Sequence, residues 1–126
     1  MTELPPFELG YPRTELRRQL VAAVLAGEKT ATAGLWSEYE AEGEDVPAAG
    51  ARFVLHDFDD EAVAIVEVTD GRCIPASEID VEFARDEGEG FESVDDWRVA
   101  HESFFRQPIE PDTEIVAVRF RVVERL

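Results

Sequence analysis

Lys29 is the only lysine of the chain and the first residue whose type suggests chemistry. It lies in the segment Gly27–Thr32, with the sequence GEKTAT, and the other eleven basic residues are arginines. Arginine stays protonated at any working pH, whereas a buried lysine can lose its proton and act as a base or a nucleophile. Lys29 is therefore a candidate catalytic residue. The alternative is a surface lysine favoured by the negative end of a preceding helix.

Two threonines in the same segment offer hydroxyl groups that a base could activate. An activated hydroxyl can attack a carbonyl carbon. Thr30 is a rival nucleophile or a substrate contact, although a β-branched residue also suits a turn or a strand. In a regular strand Lys29 and Thr32 would point to opposite faces. We therefore predict a turn or bulge directly after Gly27.

Four further side chains could contact a substrate. Tyr39 could stack on a pyrimidine ring, as could Trp36, although packing in a loop or core would also suit these residues. Arg98 could hold a substrate carbonyl or phosphate, or it could pair with an acid of the loop 86–90. His101 could act in catalysis, or it could be a structural histidine of a helix.

The histidines, the cysteine and the acids do not form a recognisable metal motif. Two histidines and one cysteine without close spacing argue against a zinc site. Asp86, Glu87 and Glu89 offer oxygen ligands, but they lack the regular spacing of a calcium loop. We predict neither a bound metal nor a cofactor.

The charge balance restricts the class of ligand. Twenty-nine acids against twelve bases give a net charge of −17. Nucleic-acid affinity comes largely from basic residues that neutralise phosphates, so tight binding of long RNA or DNA is disfavoured. Because salt screens charges beyond about 8–10 Å, a local basic cleft could still hold a nucleoside or a short single strand of RNA. We expect a small-molecule substrate and no DNA.

Length and composition predict one cytoplasmic domain over residues 1–126. No apolar run reaches about 18 residues, so no membrane span is expected. The first six residues lack the basic and apolar regions of a signal peptide. A single cysteine excludes an internal disulfide framework and fits the cytoplasm.

Hydrophobic periodicity predicts helices beside several strands. Residues 1–13 are predicted to be an irregular arm, and a first helix is capped by Thr14 and stopped by Gly27. A second long helix opens at Ser93, which forms a capping box with Asp96. Strands are predicted at 52–56, 62–68, 72–74 and 115–122, the last with one exposed face, and a short helix at 79–85. Without regular β-α-β spacing, this pattern indicates an α+β fold with a mixed or antiparallel sheet.

Three motifs, in order along the chain, resemble the ASCH domain family. They are the segment Gly27–Thr32, which matches G-x-K-x-x-T, the segment Phe83–Gly90, and the helix motif W-R-x-x-H-x-x-F-F that begins at Trp97. The resemblance extends from Leu16 to Val123, nearly the whole chain. It implies a PUA-like β-barrel with flanking helices and a cleft on one side.

The resemblance also implies an activity. The family includes amidohydrolases that remove acyl groups from N4-acylated cytidine nucleosides, members described as ribonucleases, and RNA-binding modules. In the amidohydrolases the working set would be Lys29, Thr32 and Glu87, with no cofactor. The acidic loop of the family more often reads E-G-E-G-D, so Phe91 stands where an aspartate is expected.

Two roles are open for Lys29 in such a reaction. A neutral Lys29 would be the base for Thr32, whereas a charged Lys29 would polarise the substrate carbonyl. Glu87 would serve the leaving nitrogen in either case. Hydrolysis of N4-acylated cytidines is the first hypothesis, and RNA binding or cleavage in the same cleft is the alternative.

Overall fold

The helices and strands lie close to where the hydrophobic pattern places them. The computed structural model describes residues 4–9 and 14–126. The described helices are α1 (Glu15–Leu25), α2 (Trp36–Ala41), α3 (Val81–Asp86) and α4 (Val94–Phe105), with a 3-10 turn at Ala76–Glu78. The described strands are β1 (Ala31–Leu35), β2 (Arg52–His56), β3 (Ala62–Pro75) and β4 (Glu114–Arg125).

The two long helices begin where capping residues were predicted, but only one cap makes its bond. The Ser93 hydroxyl accepts a hydrogen bond from the Asp96 amide at 3.0 Å and opens α4. Thr14 occupies the corresponding position before α1, yet its side chain makes no capping bond. At the other end of α1, Gly27 has a φ of +79°, the left-handed conformation that lets a glycine end a helix.

The strands form one antiparallel sheet in the order β1-β4-β3-β2. The pairing of β3 with β4 shifts register between Ile65 and Val66 and again between Val68 and Asp70. Such bulges bend a strand and increase its twist, so the sheet is curled. The α+β, PUA-like fold is confirmed, with antiparallel strands throughout the described sheet.

Two predictions about the strands are wrong. The predicted strands 62–68 and 72–74 are parts of β3, because pairing with β4 continues as far as Pro75. The expected exposed face of β4 is absent over Ile115–Val118, where every residue is buried. Core clusters lie on both sides of the sheet there: Ile115 and Ala117 belong to one, and Val116 and Val118 to another.

The described part of the N-terminal arm extends the sheet edge. The Phe7 amide donates to the Val54 carbonyl at 2.8 Å, and the Val54 amide donates to the Pro5 carbonyl at 2.9 Å. Phe7 and Leu9 are buried, so residues 4–9 pack on the core, while the rest of the predicted arm lies outside the described residues. No helix in the described ranges is long and apolar enough to cross a membrane.

Candidate active site

Lys29 lies in a turn between α1 and β1. The amides of Glu28 and Lys29 both donate to the Ala23 carbonyl, at 2.9 and 3.1 Å, and the strand begins only at Ala31. The predicted irregularity after Gly27 is therefore confirmed. Because of this turn, Lys29 and Thr32 line the same cavity.

The Lys29 ammonium is buried and surrounded by oxygen atoms. The side chain is 1% exposed, and Nζ donates to the carbonyls of Ala31 at 2.9 Å and Glu87 at 3.1 Å. A third acceptor, Glu89 Oε2, lies 3.4 Å from Nζ, and Glu87 Oε1 lies at 3.7 Å. An ammonium has three N–H donors and no acceptor. These contacts offer an acceptor to each of the three donors.

Glu87 is buried and held by two side chains of α4. Its Oε2 accepts a hydrogen bond from Trp97 Nε1, and its Oε1 lies 3.3 Å from His101 Nε2. Trp97 and Glu87 are each 1% exposed. A buried carboxylate requires paired charges and hydrogen bonds, and Lys29, Trp97 and His101 supply them.

The loop after α3 crosses directly over the Lys29 turn. A Cβ on Gly88, whose φ is +70°, would lie 2.5 Å from the Glu28 carbonyl oxygen and 2.7 Å from the Lys29 Cα. Only glycine permits this approach and this backbone conformation. The Thr30 amide donates to the Asp86 carbonyl at 2.8 Å on the same crossing. The crossing brings Glu87 and Glu89 to Lys29, about sixty residues away in sequence.

His101 connects the carboxylate to the helix. Its Nδ1 contacts the Trp97 carbonyl at 2.8 Å, and its ring stacks on Trp97 with centroids 4.4 Å apart. Burial lowers the pKa of His101, but the hydrogen bond to Glu87 and the charge of that carboxylate raise it more. The pKa of His101 therefore lies above its ordinary value of 6.5.

Protein stability should fall as the pH rises through the pKa of His101. The folded state binds this proton more tightly than the unfolded chain, so the stabilisation is complete below pH 6.5 and is lost above the raised pKa. Urea denaturation from about pH 5 to 8 measures this dependence. His101→Gln should remove it, and His56→Gln, outside the cavity, should keep it. An unchanged slope in His101→Gln would show that His101 does not bind the proton responsible for this pH dependence.

The cavity has a volume of about 330 Å³, within the range of roughly 300–1,000 Å³ that is usual for small-molecule sites. It lies where the arm, α1, the Lys29 turn, β1, the acidic loop and α4 meet. Its polar lining residues are Glu8, Lys29, Thr32, Glu87, Glu89, His101 and Ser103, and its apolar ones are Leu9, Leu16, Leu20, Ala33, Phe91, Ala100 and Phe104. Of the predicted site residues, Lys29, Thr32, Glu87 and His101 are thus brought together.

The other predicted substrate contacts lie outside this cavity. Tyr39 packs over Gly34 and against the core cluster that contains Val116 and Val118. Arg98 pairs on its own helix with Glu102 at 3.0 Å and Asp95 at 3.6 Å. It therefore contacts neither the cavity nor the acidic loop.

Thr30 also lies away from the cavity, since its side chain faces the Asp86 carbonyl at 3.5 Å. The partner of Asp86 is Arg119, at 2.7 Å, whose guanidinium also lies over the Phe83 ring. The face of strand 115–122 that was predicted to be exposed includes Arg119. Through its pair with Asp86, Arg119 instead contacts the start of the acidic loop 86–90. In the described part of the chain, no three histidine, cysteine or acidic residues form a metal-binding group.

Sequence reasoning missed several residues of the cavity wall. Glu8 reaches the cavity because the arm pairs with β2, and no local sequence pattern predicts that pairing. Ser103 and Phe104 lie in the helix motif, where periodicity alone does not show which face meets a cavity. Phe91 was noticed as a departure from the family pattern, and the structure places it in the cavity wall.

Comparisons with solved structures agree with this architecture. Protein EF3133 from Enterococcus faecalis V583 has a TM-score of 0.79 at 26% identity, covering 99% of this chain and 78% of that chain. The ASCH domain from Lactobacillus crispatus JV V101 has a TM-score of 0.72 at 29% identity, covering 83% and 70%. The hypothetical protein PH0355, at 17% identity and a TM-score of 0.60, covers 86% and 94% and is similar in fold alone.

The family comparison covers every lining residue of the cavity except Glu8. No curated protein matches the chain. The family model of the ASCH domain matches residues 9–124, which include the Lys29 turn, the acidic loop and α4. On this match, the chain belongs to the ASCH domain family.

Proposed function

We propose that this protein is an amidohydrolase that removes the acyl group from N4-acylated cytidine-type nucleosides. The observation that carries the proposal is a buried Lys29–Glu87 pair that lines the same cavity as Thr32. A lysine, a hydroxyl and a carboxylate are the groups needed for base catalysis, nucleophilic attack and protonation of a leaving amine. The family resemblance names the same three residues.

The ion pair can prepare both a base and an acid in one step. A proton that moves from Lys29 Nζ to Glu87 Oε1, 3.7 Å away, leaves a neutral amine and a neutral carboxylic acid. A buried site penalises charged groups, which brings the neutral pair closer in energy to the ion pair. The two roles considered for Lys29 then become successive states of the same residue.

Acyl transfer follows from this neutral pair. Thr32 Oγ attacks the acyl carbon while its proton passes to Lys29, and the ammonium so formed stabilises the adjacent oxyanion. The bond between the acyl carbon and N4 then breaks, and Glu87 gives its proton to N4. Cytidine leaves, the acyl group remains as an ester on Thr32, and the ion pair is restored.

Hydrolysis of the ester repeats the same proton transfers with water. Lys29 takes a proton from the attacking water, and Glu87 returns a proton to Thr32 Oγ as the ester bond breaks. The products are a carboxylic acid and the regenerated hydroxyl group of Thr32. Water is the acyl acceptor in this second step, so no other reactant is needed.

The charge around the cavity favours a neutral nucleoside over RNA. The lining contains Lys29 and three carboxylates, those of Glu8, Glu87 and Glu89, and none of the arginines that the structure describes lines this cavity. Most arginines of the described chain are paired with acids; the pairs are Arg17–Asp60, Arg18–Glu15, Arg52–Glu67, Arg121–Glu67, Arg72–Asp70, Arg98–Glu102 and Arg119–Asp86. RNA binding would require a basic stripe leading away from Lys29.

Phosphorylation of the substrate should therefore impair turnover. We expect kcat/KM for N4-acetylcytidine to exceed that for its 5′-monophosphate by about tenfold or more at low salt, because two added negative charges approach an acidic cavity. The difference should shrink as salt is added. Chromatography of the two reactions measures it, beside a short single-stranded RNA. Tighter binding or faster cleavage of RNA than of the nucleoside would favour the nucleic-acid alternative.

A further inference from the structure

Four large apolar side chains line the same cavity as the reacting groups. Leu16 and Leu20 lie one turn apart on α1. Phe91 directly follows the acidic loop 86–90, and Phe104 lies on α4. Lys29 and Thr32 are polar members of the same lining. A substrate amide at Thr32 therefore has an apolar surface within the same cavity.

Phe104 is the least protected member of this wall. It is 54% exposed, although it is a large aromatic side chain. Its ring contacts that of Phe105 edge-on, with centroids 5.5 Å apart. Phe91 is half-buried and lies 5.7 Å from the His101 ring, centroid to centroid. These two rings leave apolar area that a ligand could cover.

The two ends of an N4-acylated cytidine differ in what such a wall can accept. A ribose carries hydroxyl groups, and burying them against leucine and phenylalanine side chains without partners is costly. An aliphatic or aromatic acyl group has no such groups and gains from losing contact with water. The acidic and hydroxyl side chains Glu8, Glu89 and Ser103 suit the nucleoside end better.

We infer that Leu16, Leu20, Phe91 and Phe104 form an acyl subsite, and that the enzyme prefers apolar acyl groups larger than acetyl. This inference rests on the proposed function and specifies its substrate class. Each additional methylene that the subsite buries should raise kcat/KM about fourfold, equivalent to about 0.8 kcal/mol. Butyryl, with two more methylenes than acetyl, should thus be preferred by roughly fifteenfold.

The test compares N4-acetylcytidine, N4-butyrylcytidine and N4-benzoylcytidine. The quantity measured is the ratio of kcat/KM for each larger substrate to that for the acetyl compound. Phe104→Ser should lower this ratio toward one, because it removes the aromatic face of the subsite. Val99→Ser is the matched control, since Val99 is a 59% exposed apolar residue of the same helix that does not line the cavity. It should keep the ratio of the unmodified protein.

Equal kcat/KM for all three substrates, or equal ratios in Phe104→Ser and Val99→Ser, would overturn the subsite while leaving the amidohydrolase proposal intact. If no substrate is hydrolysed, the proposed function fails, and the subsite is then tested by measuring the binding of the three compounds. Calorimetry of the Thr32→Ala variant gives the Kd of each compound without turnover. Tighter binding of the butyryl than of the acetyl compound supports the subsite, and equal Kd values refute it.

Discussion

Replacing Lys29 with methionine is expected to reduce kcat/KM for N4-acetylcytidine by roughly 10³-fold or more. The substitution removes the group that takes the proton of Thr32 and that afterwards stabilises the oxyanion. Methionine has a similar length and no charge, so it tests the ammonium rather than the volume of the side chain. Steady-state kinetics on folded protein measures the effect.

The same substitution should also lower the free energy of unfolding, by about 3–5 kcal/mol. It leaves the Glu87 carboxylate, 2% exposed, without its cation, and two carbonyls lose their donor. Glu87→Gln should be destabilising as well, because it leaves the buried Lys29 charge with weaker partners. The double variant should lose at least about 1 kcal/mol less than the sum of the single losses, since each change removes the same pair.

Arg98→Met is the matched control for these experiments. It also replaces a cation that has two acidic partners, but Arg98 is 43% exposed in its side chain and lies outside the cavity. Exposed pairs contribute at most about 1 kcal/mol, so its stability and its kcat/KM should change little. A loss of activity in Arg98→Met similar to that in Lys29→Met would contradict the assignment of the catalytic charge to Lys29.

Thr32→Ala should abolish turnover with little effect on stability. Removal of the nucleophile of an acyl-transfer enzyme lowers kcat by about 10⁴-fold or more. Thr32 is half-buried in β1, and its backbone pairing with Val118 does not depend on the hydroxyl. Thermal unfolding and the rate of cytidine release, measured on one preparation, separate the two effects.

Thr30→Ala is the control for this prediction and tests the rival nucleophile. Thr30 directly precedes β1 and Thr32 is its second residue. Only Thr32 lines the cavity. We expect Thr30→Ala to retain activity and Thr32→Ser to retain more than Thr32→Ala, because serine keeps a hydroxyl. Higher activity in Thr32→Ala than in Thr30→Ala would indicate that Thr30 is the nucleophile.

The sequence predicts the local parts of this site well. A unique lysine in an arginine-rich background, followed three residues later by a threonine, identifies two of the residues that meet in the cavity. The turn that lets them meet follows from Gly27 and from the geometry of a strand. Glu87 is named only by resemblance, because its contact with Lys29 depends on a loop crossing that no local pattern encodes.

Arg98 and Tyr39 lie outside the cavity for the same physical reason. Arg98 was expected to reach a substrate or the acidic loop, yet Asp95 and Glu102, three and four residues away, are nearer partners on the helix surface. For Tyr39, stacking on a ligand and packing in a core were both open, and its ring packs over Gly34 and against the core cluster of Val116 and Val118. In both cases the residue type fits a site, and only tertiary packing determines which partner it meets.

Incubation of the protein with N4-acetylcytidine, followed by chromatography for cytidine and acetate, tests the central claim most directly. Thr30→Ala, Thr32→Ala and Lys29→Met are treated in parallel under the same conditions. The account predicts that the unmodified protein and Thr30→Ala release cytidine, and that the other two variants do not. Unchanged N4-acetylcytidine with the unmodified protein, or equal release by Thr32→Ala, would contradict it.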